Sequence, residues 1–225
     1  MQLGQEQFRL EDWGLMKAEL SVATGIYRGY SYDQVRSVAE VLLDSRYVKN
    51  MEVTLNTEGC FETIEKLSNE FGSCLNIGAG TVLDIGNLKR AVACGARFAL
   101  APDMMTSEMI TYCNNNDVVS IPGAYSPSEI HECFRRGCDI VKVFPANELS
   151  HSYANKVKEP LGDLKLMAVG GVNASNIKDV LSGGYSYVGS AGGIFKKEHI
   201  LEMDSESLAA DLHAFENGID SYYKK

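Results

Sequence analysis

Ile140-Val141-Lys142-Val143-Phe144-Pro145-Ala146 places a lysine inside an apolar, β-branched run. Such a run reads as a strand buried on both faces, as in a parallel sheet. An ammonium in that setting is costly unless it is paired or gives up its proton. A lysine without its proton is a nucleophile towards carbonyl compounds. A lysine at a strand end can also reach water along its stem. The stretch alone leaves the nucleophile and the snorkelling side chain both open.

Outward from this stretch, apolar runs alternate with helix-patterned segments. Strands are expected over 20–26, 48–55, 74–79, 97–101, 118–121, 139–144, 164–169 and 185–188. Ser31 caps a helix whose apolar face is Val35, Val38, Ala39 and Leu42, and Asp84 caps another that runs to Cys94. Further helices are expected over 60–71, 107–115, 126–136, 153–158, 173–181 and 204–215. One strand-helix unit recurs every 20–25 residues or roughly so, and unbroken alternation implies a parallel sheet. Eight units fit a single-domain α/β fold, a closed (β/α)8 TIM barrel. An open doubly wound sheet usually carries a glycine-rich fingerprint after its first strand. Tyr27-Arg28-Gly29-Tyr30 is not such a fingerprint. Residues 1–19 read as a polar lead-in ending in a short helix, and residues 20–225 as the barrel.

Composition narrows the function. Of the 225 residues, 45% are hydrophobic and 23% charged, ordinary for a globular chain. The net charge of −9, with no long basic stretch, argues against nucleic acid and against an anionic membrane surface. No run is long and apolar enough for a membrane span, and the N-terminus lacks a signal-peptide core. The six cysteines form no CxxC pair and read as reduced thiols, so a cytoplasmic location is expected. The four histidines are scattered without HxH or HxxxH spacing, and no metal site is expected.

In a barrel of this kind, reactive groups gather at the C-terminal ends of the strands. Arg28, Glu52, Thr81, Pro122, Lys142 and Phe144 stand at or near such ends. A lysine with a carboxylate is what Schiff-base chemistry needs: the amine attacks a keto group, and the carboxylate moves protons. An arginine can hold the carboxylate of a 2-keto acid in a fork. Glu52 could equally form a buried ion pair with Lys142, and Arg28 could be a surface turn residue. Gly170-Gly171 and Gly189-Ser190 follow the last two strands, where such barrels often bind phosphate through loop amides. Two tight turns would explain the same glycines.

Taken together, the motifs resemble those of the class I aldolases acting on 2-keto-3-deoxy-6-phosphogluconate or 2-keto-3-deoxy-6-phosphogalactonate, a family that includes 4-hydroxy-2-oxoglutarate aldolase. The motifs are Glu52-Val-Thr-Leu-Asn56, Gly78-Ala-Gly-Thr-Val82, Ile121-Pro-Gly123, Val141-Lys-Val-Phe-Pro145, Ala168-Val-Gly-Gly-Val172 and Val188-Gly-Ser190. The resemblance implies a metal-free and cofactor-free barrel, usually a homotrimer, with a small 2-keto acid as substrate. It implies Lys142 as the Schiff-base lysine and Glu52 as the general acid/base. Arg28, assisted by Thr81, would bind the pyruvate carboxylate, and Phe144 would pack on the substrate. Gly170, Gly171, Gly189 and Ser190 would hold phosphate, and Pro122 belongs to the substrate-contacting set.

Val169 bears on the substrate. Gluconate-type members commonly carry a threonine there, whose hydroxyl can bond the C4 hydroxyl of one epimer. Valine resembles the galactonate type, as does Asn56, and the lean is towards that epimer. The chain departs from the family at Ser150-His151, where many members have Gly-Pro, and at Asp103, which would add a negative charge near a phosphate. Two other readings are a phosphate-binding barrel epimerase or decarboxylase, and a non-catalytic homologue. The first usually sets histidine at a strand end, and the second would break the constellation.

Overall fold

Side-chain caps start many of the helices. Ser31 and Gln34 form a reciprocal capping box ahead of α1 (Tyr32–Leu42), as do Ser126 and Glu129 ahead of α5 (Pro127–Arg135). Asp84 caps α3 (Ile85–Ala93) and Thr106 caps α4 (Ser107–Asn115), each accepting from a backbone amide three residues on. These helices, with α2 (Cys60–Phe71) and α6 (Tyr153–Leu161), lie where the apolar periodicity placed them. The computed structural model describes residues 17–224. The expected lead-in helix falls mostly on residues 1–16, outside the described residues, and residues 17–20 carry no regular secondary structure.

The strands are β1 (Ala23–Tyr27), β2 (Val48–Thr54), β3 (Asn76–Gly80), β4 (Phe98–Leu100), β5 (Val119–Ile121), β6 (Gly123–Ala124), β7 (Val141–Val143), β8 (Leu166–Val169) and β9 (Tyr187–Ser190). They pair in parallel in the order β5-β4-β3-β2-β1-β9-β8-β7-β6. β5 and β6 are one barrel strand interrupted at Pro122, whose ring removes a ladder donor. The Lys142 amide donates to the Pro122 carbonyl at 2.9 Å, and the Phe144 amide to Ala124 at 3.1 Å. These bonds close the ring, so the nine segments make the expected eight-stranded barrel, with helices around it.

Three helical features differ from the sequence expectation. α7 (Ile177–Ser182) begins four residues later than the expected start at 173. A short α8 (Lys197–Glu202) precedes the last helix, and α9 (Ser205–Tyr223) runs past Phe215. Gly218 disguises the extension, because glycine weakens a helical pattern. A Cβ there would strike Ala174 and Ile177, so the glycine lets α9 approach α7 (Ile177–Ser182) closely. α9 is also fastened by Glu216, a buried carboxylate that accepts from Ser45 Oγ and the Arg46 amide, both at 2.7 Å. Tyr223 stacks on Tyr47 at 5.8 Å between ring centroids.

The core has two layers. The outer one lies between barrel and helices and includes Val38, Leu42, Ile64, Leu67, Leu88, Ile110 and Phe215. The inner one fills the barrel with Leu20, Ile26, Phe98, Leu100, Val119, Ile121, Ile140, Met167 and Val169. Phe98 occupies the space left by Gly78 on the neighbouring strand. The first strand starts at Ala23 rather than at residue 20, because residues 18–22 pass across the N-terminal end of the barrel. Asn50 holds that segment, accepting from the Ser21 amide at 3.1 Å and donating to the Ser21 carbonyl at 2.9 Å. Lys17 extends the closure by pairing with Asp139 at 2.7 Å. The opposite end of the barrel stays open.

Candidate active site

Alternation along the strands sends Thr24 and Ile26 inward from β1, Asn50 and Glu52 from β2, and Ile140 and Lys142 from the β7 segment. Near the N-terminal end the inward groups are hydrogen-bonded or apolar, whereas Glu52 and Lys142 open into a cavity of about 540 Å³ at the C-terminal end. That volume suits a small metabolite. Arg28, Glu52, Thr81, Lys142, Phe144, Val169, Gly170, Gly171 and Ser190, all candidates from the sequence, line the cavity together.

Pro122 and Gly189 are not among the lining residues. The Pro122 carbonyl supports the Lys142 amide from the neighbouring strand. Gly189 leaves room for Val169 and Ile26, whose side chains a Cβ there would meet. Asp103, Asn56, Ser150 and His151 are exposed and do not line the cavity either. The extra charge of Asp103 therefore adds nothing to the wall where phosphate was expected.

Ile26, Val172, Asn173, Ala191, Gly192 and Gly193 line the cavity without having been singled out. Ile26 and Val172 are indistinguishable from core residues in the sequence. Gly192-Gly193, separated from Ser190 by Ala191 alone, was a usable signal.

Glu52 is 1% exposed and its Oε2 has no hydrogen-bond partner. Burial pushes its carboxyl up to about 7, against the opposing pull of the Lys142 and Arg28 charges. Lys142 is 6% exposed, and burial pulls its ammonium below the usual lysine range, helped by Arg28 and resisted by Glu52. The Lys142 Nζ lies 4.9 Å from the centroid of the Phe144 ring. Among the described residues, no ion pair joins Glu52 to Lys142, so the buried structural ion pair left open by the sequence is not what forms. Both groups are instead shifted towards their neutral forms, as proton transfer and nucleophilic attack near neutral pH require.

Arg28 stands exposed at the rim, with no carboxylate partner among the described residues. Thr81 takes a left-handed backbone conformation, with φ of 56°, uncommon for a residue other than glycine. On the far side of the cavity, the Ser190 hydroxyl donates to the Val172 carbonyl at 2.7 Å and accepts from the Gly193 amide at 2.9 Å. Ser190 thus joins the two loops that follow β8 and β9.

The aldolase family model described as KDPG and KHG aldolase matches residues 23–210, which span the barrel and the site. The chain belongs to the KDPG and KHG aldolase family. Its relatives in this family include a probable 2-dehydro-3-deoxy-6-phosphogalactonate aldolase of Rhizobium meliloti, 28% identical over 76% of this chain and 80% of that protein. A 2-dehydro-3-deoxy-phosphogluconate aldolase of Pseudomonas aeruginosa is 35% identical, over 59% of this chain and 60% of its own length. Among solved structures, KDPG aldolase from Legionella pneumophila superposes with a TM-score of 0.78 at 27% identity, covering 87% of this chain and 94% of that one. That protein was captured with pyruvate as a covalent carbinolamine intermediate. A phosphogalactonate aldolase and a phosphogluconate aldolase thus both stand among the relatives.

Proposed function

We propose that this chain is a class I aldolase that cleaves a 2-keto-3-deoxy-6-phospho sugar acid to pyruvate and glyceraldehyde 3-phosphate. The observation that carries the reading is the burial of Lys142 and Glu52 in one cavity, unpaired with each other and both shifted towards neutrality. The neutral Lys142 amine attacks the C2 keto carbon, and loss of water gives an iminium. Glu52 takes the proton of the C4 hydroxyl, and the C3–C4 bond breaks as its electrons pass to the iminium. The aldehyde leaves. Protonation of the enamine at C3 and hydrolysis then release pyruvate and free the lysine.

Arg28 is suited to the substrate carboxylate because its guanidinium has no competing carboxylate among the described residues. Thr81 adds a hydroxyl from the neighbouring wall, and the Phe144 ring lies beside the amine. Val169 brings no hydroxyl to the wall, which supports the galactonate epimer. The loops after β8 and β9 take the phosphate. Among the described residues, no Lys, Arg or His lines that side, which keeps 4-hydroxy-2-oxoglutarate as the second candidate substrate.

A homotrimer is the proposed assembly. Leu83, Met104, Tyr125 and Phe144 are exposed near the C-terminal ends of four successive barrel strands, an apolar rim of the kind that copies of a chain bury together. The cytoplasm is the proposed location, supported by six free thiols. No helix among the described residues is long and apolar enough to cross a membrane.

Incubation with pyruvate, borohydride reduction and peptide mass mapping test the chemistry. A stable adduct on Lys142 is expected, absent from Lys142→Met, which keeps the fold and loses cleavage by on the order of 10³-fold or more. An unmodified Lys142 in the native protein overturns the reading.

A further inference from the structure

Beyond β8 and β9 the cavity wall is built from Gly170–Asn173 and Ser190–Gly193, with no cationic side chain among the described residues. An anion held there, as the proposed function requires, must be met by backbone amides. Its affinity then depends on how firmly that backbone is oriented before binding.

Two consecutive carbonyls of the first loop are tied down. Ser190 Oγ holds the carbonyl of Val172. The carbonyl of Gly171 is held by Asn176, whose Nδ2 donates to it at 2.8 Å, with Asn173 Nδ2 adding a bond at 3.2 Å. The same Asn176 carboxamide accepts from the Asn173 amide through Oδ1 at 2.9 Å. One side chain therefore bridges a carbonyl and an amide two residues apart, and this requires a donor and an acceptor on one short stem. Asp lacks the donor, and Ala lacks both.

In a trans peptide the carbonyl of Gly171 and the amide of Val172 point in opposite directions. Fixing the first on Asn176 turns the second away from Asn176. Among the described residues, the amides of Gly171, Val172, Ala191 and Gly192 have no acceptor. Gly171 itself has φ of 71°, a conformation glycine enters freely and leaves freely unless held. Asn176 does not line the cavity.

We propose that Asn176 is a positioning residue for recognition of the substrate's terminal anion: it locks Gly171–Asn173 so that loop amides are presented to the anion, and it touches no substrate. The inference rests on the phosphate reading above and goes beyond it in naming what orients the loop.

The test uses the full chain and its Asn176→Ala and Asn176→Asp variants. Cleavage of 2-keto-3-deoxy-6-phosphogalactonate is compared with cleavage of its dephosphorylated analogue, and inorganic phosphate serves as a competing probe. Loss of an oriented, charge-assisted contact should raise KM for the phosphorylated substrate about tenfold in Asn176→Ala. The inhibition constant of phosphate should rise in parallel, while kcat and the KM of the analogue move far less. Asn176→Asp should show the same split. Equal changes in both KM values, or a lowered melting temperature with an unchanged KM ratio, would make Asn176 merely structural and overturn the proposal. A wild-type chain that binds both substrates equally would instead overturn the phosphate reading itself, and the proposal with it.

Discussion

Glu52 Oε1 occupies the space into which any side chain on Gly80 would project. Gly80 ends β3, next to the strand that carries Glu52, and the bare glycine is what lets the carboxylate lie across the cavity floor. Gly80→Ala should therefore push the carboxylate aside. A misplacement of this size costs about 10²-fold in kcat. Overpacking should lower stability by about 1–3 kcal/mol. Steady-state cleavage kinetics and denaturant melts read the two effects. A fully active Gly80→Ala enzyme would show that the observed carboxylate position is not the working one.

The pH dependence follows from Glu52. Its carboxyl titrates at about 7 in the fold, against an ordinary value of 4.5. Proton removal needs the ionised form, so kcat for cleavage should climb as pH rises through about 7 and level off above. For stability the sign is opposite. As pH rises, the unfolded chain loses this proton first, so the contribution is whole below the unfolded value and lost as pH rises through the folded one. Glu52→Gln removes the titration. It should be inactive yet more stable than the native protein at pH 8, by roughly 3 kcal/mol at most, with the advantage gone near pH 4. Equal stabilities at pH 8 would contradict the desolvated carboxyl.

Val169 lines the cavity on β8 and offers no hydrogen bond. Val169→Thr adds a hydroxyl of nearly the same volume. It should shift the kcat/KM ratio towards the gluconate epimer by about 1 kcal/mol, or roughly fivefold. Paired assays on the two C4 epimers check this, and an unmoved ratio would remove Val169 from the specificity argument.

Glu216 lies far from the chemistry, with its carboxylate bonded to Ser45 Oγ and to the Arg46 and Tyr47 amides. Glu216→Ala strands those donors beside β2. Chemical melts should show a loss of about 2–3 kcal/mol. Cleavage at 25 °C should persist in the folded fraction.

The barrel was legible because each unit carries its own local signals. Caps such as Ser31, Asp84 and Ser126 mark helix starts, and β-branched runs mark strands. Features whose cause lies across the chain were not legible. Gly218 reads as a helix breaker until α7 is seen beside it. Residues 20–22 read as strand until Asn50 is seen holding Ser21 across the barrel end. Pro122 reads as a loop start, although the ladder resumes at Gly123.

The same division runs through the site. The sequence by itself determined which chemical groups are present, and their order along successive strands: Arg28, Glu52, Thr81, Lys142, then the glycine pairs. Only the tertiary structure decided how they act on one another. It left Glu52 Oε2 without a partner, kept Lys142 from forming an ion pair with it, turned the Ser190 hydroxyl into a tie between loops, and moved Pro122 and Gly189 from the cavity wall to its support. The physical reason is that periodicity records whether a residue is buried, whereas charge state and hydrogen bonding depend on which strands the closed ring sets side by side.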